Sequence, residues 1–523
     1  MPRRFPLVTI PAALALAAFT AGCSTPVELA SLDNPYSETY AVVVSKKTYD
    51  DYGWKDVADS LVRKRHATLI VYDGDDVGAA KAKLAAAMPR YTAFVATPDE
   101  CGRPYIAAVS RLVRSLDDDP YDDTIWGVIT ARDAEGAKRV ALATRPIVAK
   151  SALGTTGLDM DRFETAYSIS DGKAGDWTSK TVRDGVKRGN GHDKPDALVW
   201  AEQFETMQPE LLVTSSHGFQ NGFEMPFGRG YILAYKGTLR AIDDFKAYRA
   251  RLKEAKDDAE RDRISDALPT VAVSDTPRVW LPAGNCLIGH VNGPDAVVPT
   301  MLENYGVRQV AGYTVETWFG AAGWGALDQW KSLPGRYPLA EAVFINHQAM
   351  LADLADLAPG SDKYLPAYDN AKNMGPIDDF INKAVAAGVK IDTAHLNDNK
   401  APGTRAAGLL WDRDTFALYG DPMLVARFDY PKEDQVYSTR FEQVSSDRFR
   451  YVIKINDSGA AMSNQRPVGS IFTQRLAHVK LISGVEYAPI VTDNFVIVRK
   501  AQPVGVEKEI VIEFEGEPVE IKH

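Results

Sequence analysis

Val279-Trp280-Leu281-Pro282-Ala283-Gly284-Asn285-Cys286 is an apolar run that stops in small residues and presents a cysteine at its end. A run of this length bounded by turn residues reads as a buried strand of a mostly parallel sheet, and chemistry gathers where such strands end at their carboxyl edge. A second stretch of the same design, Pro209-Glu210-Leu211-Leu212-Val213-Thr214-Ser215-Ser216-His217-Gly218, presents a histidine. If the two strands are neighbours, a thiol stands beside a base, and the rest of the chain is expected to serve that pair.

Working outward, the cysteine run is followed by an amphipathic helix around Ala296 to Tyr305 and a strand at Gln309 to Tyr313. Helices are expected at Gly325 to Lys331 and Leu339 to Leu357, and Gly408 to Trp411 and Leu418 to Phe428 close the unit through a turn at Gly420-Asp421-Pro422. Ahead of the histidine run, Asp196 to Gln203 reads as a helix. Between the two runs, Tyr231 to Tyr235 reads as a strand. Leu239 to Leu268 is highly charged and rich in helix formers, with Ile242, Phe245, Tyr248 and Leu252 spaced for one apolar stripe, so a helical excursion on the surface is expected there.

Nearer the N-terminus the pattern alternates between strands (40–45, 67–72, 91–96 and 124–130) and helices (55–65, 77–88, 105–116 and 134–144). Such alternation means an α/β unit with parallel pairing. Beyond Asp429 the character becomes all-β: Phe449, Tyr451, Ile453 and Ile455 alternate onto one face, as do Ile510, Ile512 and Phe514, which points to a sandwich of immunoglobulin type.

The 523-residue chain is long enough for about three domains. Its net charge of -10 argues against general nucleic-acid binding, which needs a concentrated basic surface. Pro2-Arg3-Arg4, the apolar stretch from Leu7 to Phe19 and Thr20-Ala21-Gly22-Cys23 form an export signal. The small residues before the cysteine resemble a bacterial lipobox, which implies cleavage before Cys23 and lipidation of its thiol; Thr20 stands where leucine is usual. No later run reaches the eighteen or so apolar residues of a membrane helix. A body held to the bacterial cell envelope by acyl chains is therefore expected, at the outer membrane on its periplasmic or surface face.

Of three cysteines, that leaves Cys101 and Cys286, either free or joined in a disulfide. No Cys-x-x-Cys or His-Glu-x-x-His spacing signals a metal site, and Cys286, His290 and His217 make a poor ligand set. The cluster Asp117-Asp118-Asp119-Pro120-Tyr121-Asp122-Asp123 is either a solvated acidic loop or a site for structural calcium.

A thiol near a histidine and turn amides is an activated nucleophile. Cys286 would attack a peptide carbonyl, His217 would deliver a proton to the leaving amine, and the amides of Gly218 and Cys286 would face the oxyanion. Taken alone, a Cys or His at a strand end is more often packing than chemistry.

A strand ending in His-Gly, followed further on by one ending in a small residue and Cys, is the pattern of the caspase-like cysteine peptidases. Within that group the chain resembles the gingipain family. The similar stretches are Ser216-His217-Gly218, Gly284-Asn285-Cys286 with Val291-Asn292-Gly293, Thr314-Val315-Glu316-Thr317-Trp318 and Leu418-Tyr419-Gly420-Asp421-Pro422. Asp119 to Arg139, with Gly127-Val128 and Ala131-Arg132-Asp133-Ala134-Glu135, looks like the end of that family's first subdomain.

The resemblance covers roughly residues 40–428 and implies two α/β subdomains with mostly parallel sheets, at 40–154 and 155–428, with the helical insertion near 239–268. A signal peptide (1–22) and tether (23–39) precede them, and an immunoglobulin-like β-sandwich (429–523) follows. By this resemblance Cys286 is the nucleophile, His217 the general acid/base and Gly218 an oxyanion donor. An acidic residue upstream often orients the histidine in the family; Asp159, Asp161 and Glu164 lie in the right region without a clear match.

The loop after the Gln309 to Tyr313 strand is expected to line the substrate pocket. Glu316 would pair a substrate Arg or Lys and Trp318 would stack beside it, although an exposed glutamate and a packing tryptophan fit the same sequence. The expectation is an envelope-anchored cysteine endopeptidase that requires no cofactor, with a peptide or protein as substrate and no nucleic-acid partner. The alternative is an inactive scaffold of the same family that binds a partner in the cell envelope.

Overall fold

The short runs rich in β-branched residues assemble into one sheet of twelve strands in this computed structural model, which describes residues 38–333, 336–370, 375–394, 396, 401–429, 435–502 and 508–519. The export signal and Cys23 lie outside the described residues. Among those described, no helix is long and apolar enough to cross a membrane.

From one edge, the sheet runs Thr68–Tyr72, Tyr40–Ser45, Tyr91–Val95, Ile125–Ile129, Phe416–Tyr419, Val307–Tyr313, Arg278–Asn285, Leu211–Ser216, Ser151–Gly154, Thr165–Ile169, Asp176–Thr181 and Gly185–Asn190. Strands inside the edge are buried on both faces: every residue of Tyr40–Ser45 and of Tyr91–Val95 is inside. Helices cover both sides, which is why these strands read as continuous apolar runs rather than alternating ones. Each fully buried Val, Leu or Ile stabilises the fold by roughly 1.5–3 kcal/mol.

The first five strands run parallel to one another, and so do the next five. The two sets oppose each other where Phe416–Tyr419 lies antiparallel to Val307–Tyr313, with Ala311 opposite Leu418. The two α/β units foreseen in the sequence thus share a single sheet. Asp421, just past that seam, is fully buried and holds Lys64, Arg65 and the Tyr40 hydroxyl, tying the end of the second unit to the first.

The excursion differs from expectation at its start. Thr238–Ile242 is a strand, not helix; it pairs with Tyr231–Tyr235 across Lys236-Gly237, both at positive φ (47° and 77°) as a tight hairpin turn requires. Leu239, Ala241 and Ile242 are buried, and that strand burial overrides the local helical composition. Helices follow only at Phe245–Glu254 and Asp258–Asp266. Gly408 to Trp411 lies within the helix Pro402–Asp412. The edge hairpin Asp176–Thr181/Gly185–Asn190 gave no sequence signal because its residues are mostly polar and partly or fully exposed.

The C-terminal region forms two antiparallel sheets, one ordered Tyr437–Gln443, Arg448–Ile455, Glu509–Pro518, Leu476–Ser483 and the other Val468–Ile471, Phe495–Val498, Pro489–Val491. The alternating residues pair as their spacing suggests: Phe449 faces Phe514, Tyr451 faces Ile512 and Ile453 faces Ile510. Hydrogen bonds from Tyr337 Oη to the Gly469 carbonyl (2.8 Å) and from Gln329 Nε2 to the Pro467 carbonyl (2.9 Å) dock these sheets on the α/β body.

Candidate active site

Leu211–Ser216 and Arg278–Asn285 are adjacent and parallel, with Leu211 opposite Val279 and Val213 opposite Leu281. Pro282 has no N–H to give the ladder, and the register shifts there, so that Pro282 and Ala283 oppose Thr214 alone. Beyond this irregularity Ser215 pairs with Gly284 and Ser216 with Asn285. His217 and Cys286 are the next residues on each strand, and the ends that carry them are one strand spacing, about 4.8 Å, apart.

Four hydrogen bonds fix these ends. The buried Asn285 amide donates to the Ser216 carbonyl (2.9 Å) and to that of His217 (3.4 Å). Thr155, leaving the neighbouring strand Ser151–Gly154, donates its hydroxyl to the Ser215 carbonyl and accepts from the Ser215 N–H, both at 3.0 Å. This is also where the strand order reverses, since the chain passes outward from Ser151–Gly154 to Thr165–Ile169 and returns on the other side. Such reversal points are where open α/β sheets leave a crevice for ligands. Ser216 sits at φ 116° and Leu287 at φ 60°, so the residue before the histidine and the residue after the cysteine both hold unfavourable backbone conformations. Strain of this kind costs about 1–3 kcal/mol per residue and persists only where surrounding structure enforces it.

Gly218 lies against the cysteine. A Cβ there would stand 2.7 Å from the Cys286 carbonyl oxygen and 3.3 Å from its nitrogen, so no side chain fits. The following hairpin pairs Gly218 with Phe223, and the Glu224 N–H donates to the His217 carbonyl (2.9 Å). That pattern makes Gly218 and Phe223 a non-hydrogen-bonded pair, which leaves the Gly218 N–H unused by the hairpin.

The Cys286 thiol is half-buried and accepts from the Thr317 N–H at 3.3 Å. The Thr317 hydroxyl donates to the Asn285 carbonyl (3.0 Å), which holds the loop after Val307–Tyr313 against the strand end. Burial pushes the thiol up from its ordinary range; the Thr317 amide opposes this and the Glu316 carboxylate adds to it. His217 is exposed, and among the described residues no hydrogen bond joins it to the thiol.

A carboxylate that the sequence reading missed accompanies the histidine. Glu224 returns beside His217 through the two-residue turn Gln220-Asn221, and burial raises its carboxyl while the nearby imidazole pulls it down. Asn221-Gly222 signals a turn here in the sequence but would set the loop one residue late, since Gln220-Asn221 form the turn and Gly222 pairs with Phe219. Of the upstream candidates, Asp159 pairs with Arg162 (2.9 Å), Glu164 pairs with Lys150 (3.2 Å), and Asp161 is exposed.

Glu316 and Trp318 lie on the loop that also supplies Thr317. The Glu316 carbonyl accepts from the Trp411 indole (2.8 Å), and its side chain is half-buried with Oε2 lacking a partner. Trp318 is 60% exposed at the rim, not packed. Beneath the loop, fully buried Arg103 donates Nε to the Thr314 carbonyl (2.8 Å).

Cys101 and Cys286 are both free, and Cys101 is buried, its thiol raised by desolvation. His290 is buried, its Nδ1 accepts from the Arg103 N–H at 3.3 Å, and burial holds its pKa down at about 4, so it is a neutral core imidazole. Among the described residues, it forms no ligand cluster with Cys286 and His217. Carboxylate oxygens of Asp117, Asp123 and Asp493 do converge within 4.8 Å of one another. The Arg475 guanidinium is bonded to Asp123 and Asp493, however, and supplies the counter-charge that calcium would. Burial raises Asp123 to about 8 and Asp119 to about 6, further reducing the negative charge offered to a cation.

No family model matches the chain, and neither the curated proteins nor the solved structures yielded a match.

Proposed function

We propose that this protein is a cysteine peptidase with a gingipain-like, caspase-type core, an immunoglobulin-like C-terminal sandwich and a lipid anchor at Cys23 in the bacterial envelope. The observation that carries the reading is the register of the two strand ends, with Ser216 opposite Asn285 and hence His217 beside Cys286. The Gly218 N–H, unused by the hairpin and on a residue packed against the Cys286 backbone, supports it, because an acyl-transfer site needs a fixed donor for the developing oxyanion.

In this mechanism Cys286 gives its proton to His217 and its sulfur bonds to the carbonyl carbon of the substrate. The tetrahedral oxyanion lies toward the Gly218 N–H. As the C–N bond breaks, the imidazolium returns the proton to the leaving amine, which departs as the new N-terminus. Water then attacks the thioester, giving its proton to His217, and collapse releases the carboxylic acid with return of that proton to sulfur. Glu224, beside the histidine, stabilises the transient imidazolium. Glu316 and Trp318 border the position of the side chain before the cut, where a basic group would meet a carboxylate and an exposed ring.

Labelling with a series of thiol-directed peptide electrophiles, followed by mapping of the modified residue, tests the reading. Selective modification of Cys286 that is lost in His217→Ala, together with peptide cleavage, supports a peptidase. Equal labelling with and without His217, and no cleavage, assigns the fold to an inactive binding scaffold instead.

A further inference from the structure

We propose that the polar cleft beside the histidine turn is a second substrate subsite, which takes a cationic side chain, lysine or arginine, on the leaving-group side of the cut. This rests on the reading of Cys286 and His217 as the catalytic pair and adds a residue class that the reading alone does not name.

The cleft opens at the carboxyl edge of the sheet and encloses about 390 Å³ between Asp99, Gln220, Asn221, Asn292, Gly293 and Asp295. That is the size of ordinary ligand sites, roughly 300–1,000 Å³. Both catalytic strands contribute to it. Gln220 and Asn221 form the turn that follows His217-Gly218, and Asn292 to Asp295 belong to the segment that follows Cys286. The Val297 N–H donates to the Gln220 carbonyl (2.8 Å), which closes the two segments on each other. Gly218 packs against the Cys286 backbone, so Gln220 stands only two residues, roughly 7 Å of extended chain, beyond that contact.

Asp99 supplies the charge. Its turn is pinned by the neighbouring Glu100 carboxylate, which accepts from the Thr97 N–H (2.9 Å) and the Ser45 hydroxyl (2.8 Å), and Asp99 is left exposed. Gly293 sits at φ 135°, and a Cβ there would stand 3.5 Å from Asp99 Oδ1, so the carboxylate lies against the segment after the cysteine. Among the described residues Asp99 has no ion pair and accepts no hydrogen bond on its carboxylate. Asp295 differs: Arg132 Nη2 stands 3.2 Å from its Oδ1, and the same guanidinium is 3.8 Å from Glu303. The cleft therefore keeps one unanswered negative charge, with the exposed amides of Asn221 and Asn292 beside it as neutral acceptors. An ammonium or guanidinium, which carries donors only, matches that set. A bare divalent ion fits it less well, since among the described residues Asp99 and Asp295 belong to no convergent group of three ligands.

The side of the cut follows from the histidine. In the proposed mechanism His217 hands its proton to the leaving amine, and the chain that carries His217 runs directly into the wall of the cleft. Residues after the cut are thereby led toward Gln220 and Asn221, whereas Glu316 and Trp318 flank the residue before it.

The test uses the full chain in detergent. Saturation-transfer NMR with N-acetyl-lysine methylamide, and with N-acetyl-norleucine methylamide as its uncharged counterpart, reads binding without catalysis. A signal for the lysine probe alone is expected, weakened by sodium chloride and lost in Asp99→Asn. No preference for lysine in the wild-type chain overturns the proposal without recourse to any variant, and a lysine signal unchanged in Asp99→Asn overturns it by placing the cation elsewhere. Peptides carrying lysine or norleucine just after the cut extend the test to turnover. The ratio of their kcat/KM values is expected to fall about three- to fivefold in Asp99→Asn, the scale of a partly exposed ion pair; an unmoved ratio counts against the subsite. Asp99-dependent lysine binding with no cleavage of any peptide removes the peptidase reading and leaves the cation cleft standing, so the two failures are distinguishable.

Discussion

The Asn285 side-chain amide donates to the Ser216 carbonyl across 2.9 Å, joining the residue before the histidine to the residue before the cysteine. With the Thr155 clamp, this bond helps to fix the separation of the two strand ends, and Asn285 makes it from a fully buried position. It also accounts for the strained Ser216 backbone, which is held by this bond on one side and by the Thr155 clamp on Ser215 on the other.

Asn285→Ala is expected to lower the rate of Cys286 labelling by a peptide electrophile about 100-fold, with a stability loss of only about 1–2 kcal/mol for the missing hydrogen bond. Paired labelling kinetics and denaturant titration separate the two effects. A stability loss with unchanged labelling would show that the bond serves folding alone.

Gly218→Ala tests the close approach. The added Cβ would meet the Cys286 carbonyl oxygen at 2.7 Å, which is backbone and cannot swing away. Displacement of the amide should reduce turnover by roughly 10²–10³-fold, the usual cost of losing an oxyanion donor. Binding of a non-cleavable peptide should change far less.

Glu224→Gln keeps the size of the side chain and removes its charge beside His217. Turnover is expected to fall about tenfold with little change in KM, since the imidazolium it would stabilise forms only during reaction.

Asp412 links stability to pH. Its fully buried carboxylate accepts from the Tyr313 hydroxyl and the Ala322 N–H, both at 3.0 Å, and burial raises its pKa to about 7. The folded-state value lies above the unfolded one, near 4, so the stabilisation is complete below pH about 4 and is lost as pH rises through about 7. Asp412→Asn retains the acceptor and removes the titration. The difference in Tm between pH 5 and pH 8 should therefore shrink in the variant; an unchanged difference would assign the pH dependence to another group.

The strand identities were legible because burial writes itself into composition. Tyr40–Ser45 and Tyr91–Val95 are mostly apolar and buried along their length, and the alternation at Phe449, Tyr451 and Ile453 announced a two-faced sheet. The candidate dyad was legible for the same reason: small residues ending two buried runs leave a functional side chain at the edge. Composition failed at Thr238–Ile242, where a charged, helix-forming context conceals a strand that only its hairpin partner stabilises.

By itself, then, the sequence determined which segments must be buried and which side chains stand at their ends, because hydrophobic burial and turn chemistry are local properties of the chain. Only the tertiary structure decided that the two α/β units share one sheet, that Ser216 faces Asn285, that Glu224 rather than an upstream acid returns to His217, and that the Thr317 N–H reaches the thiol. Those are relations between distant residues. They depend on strand order, on the irregularity at Pro282 and on the direction in which each loop leaves the sheet, none of which a local pattern encodes.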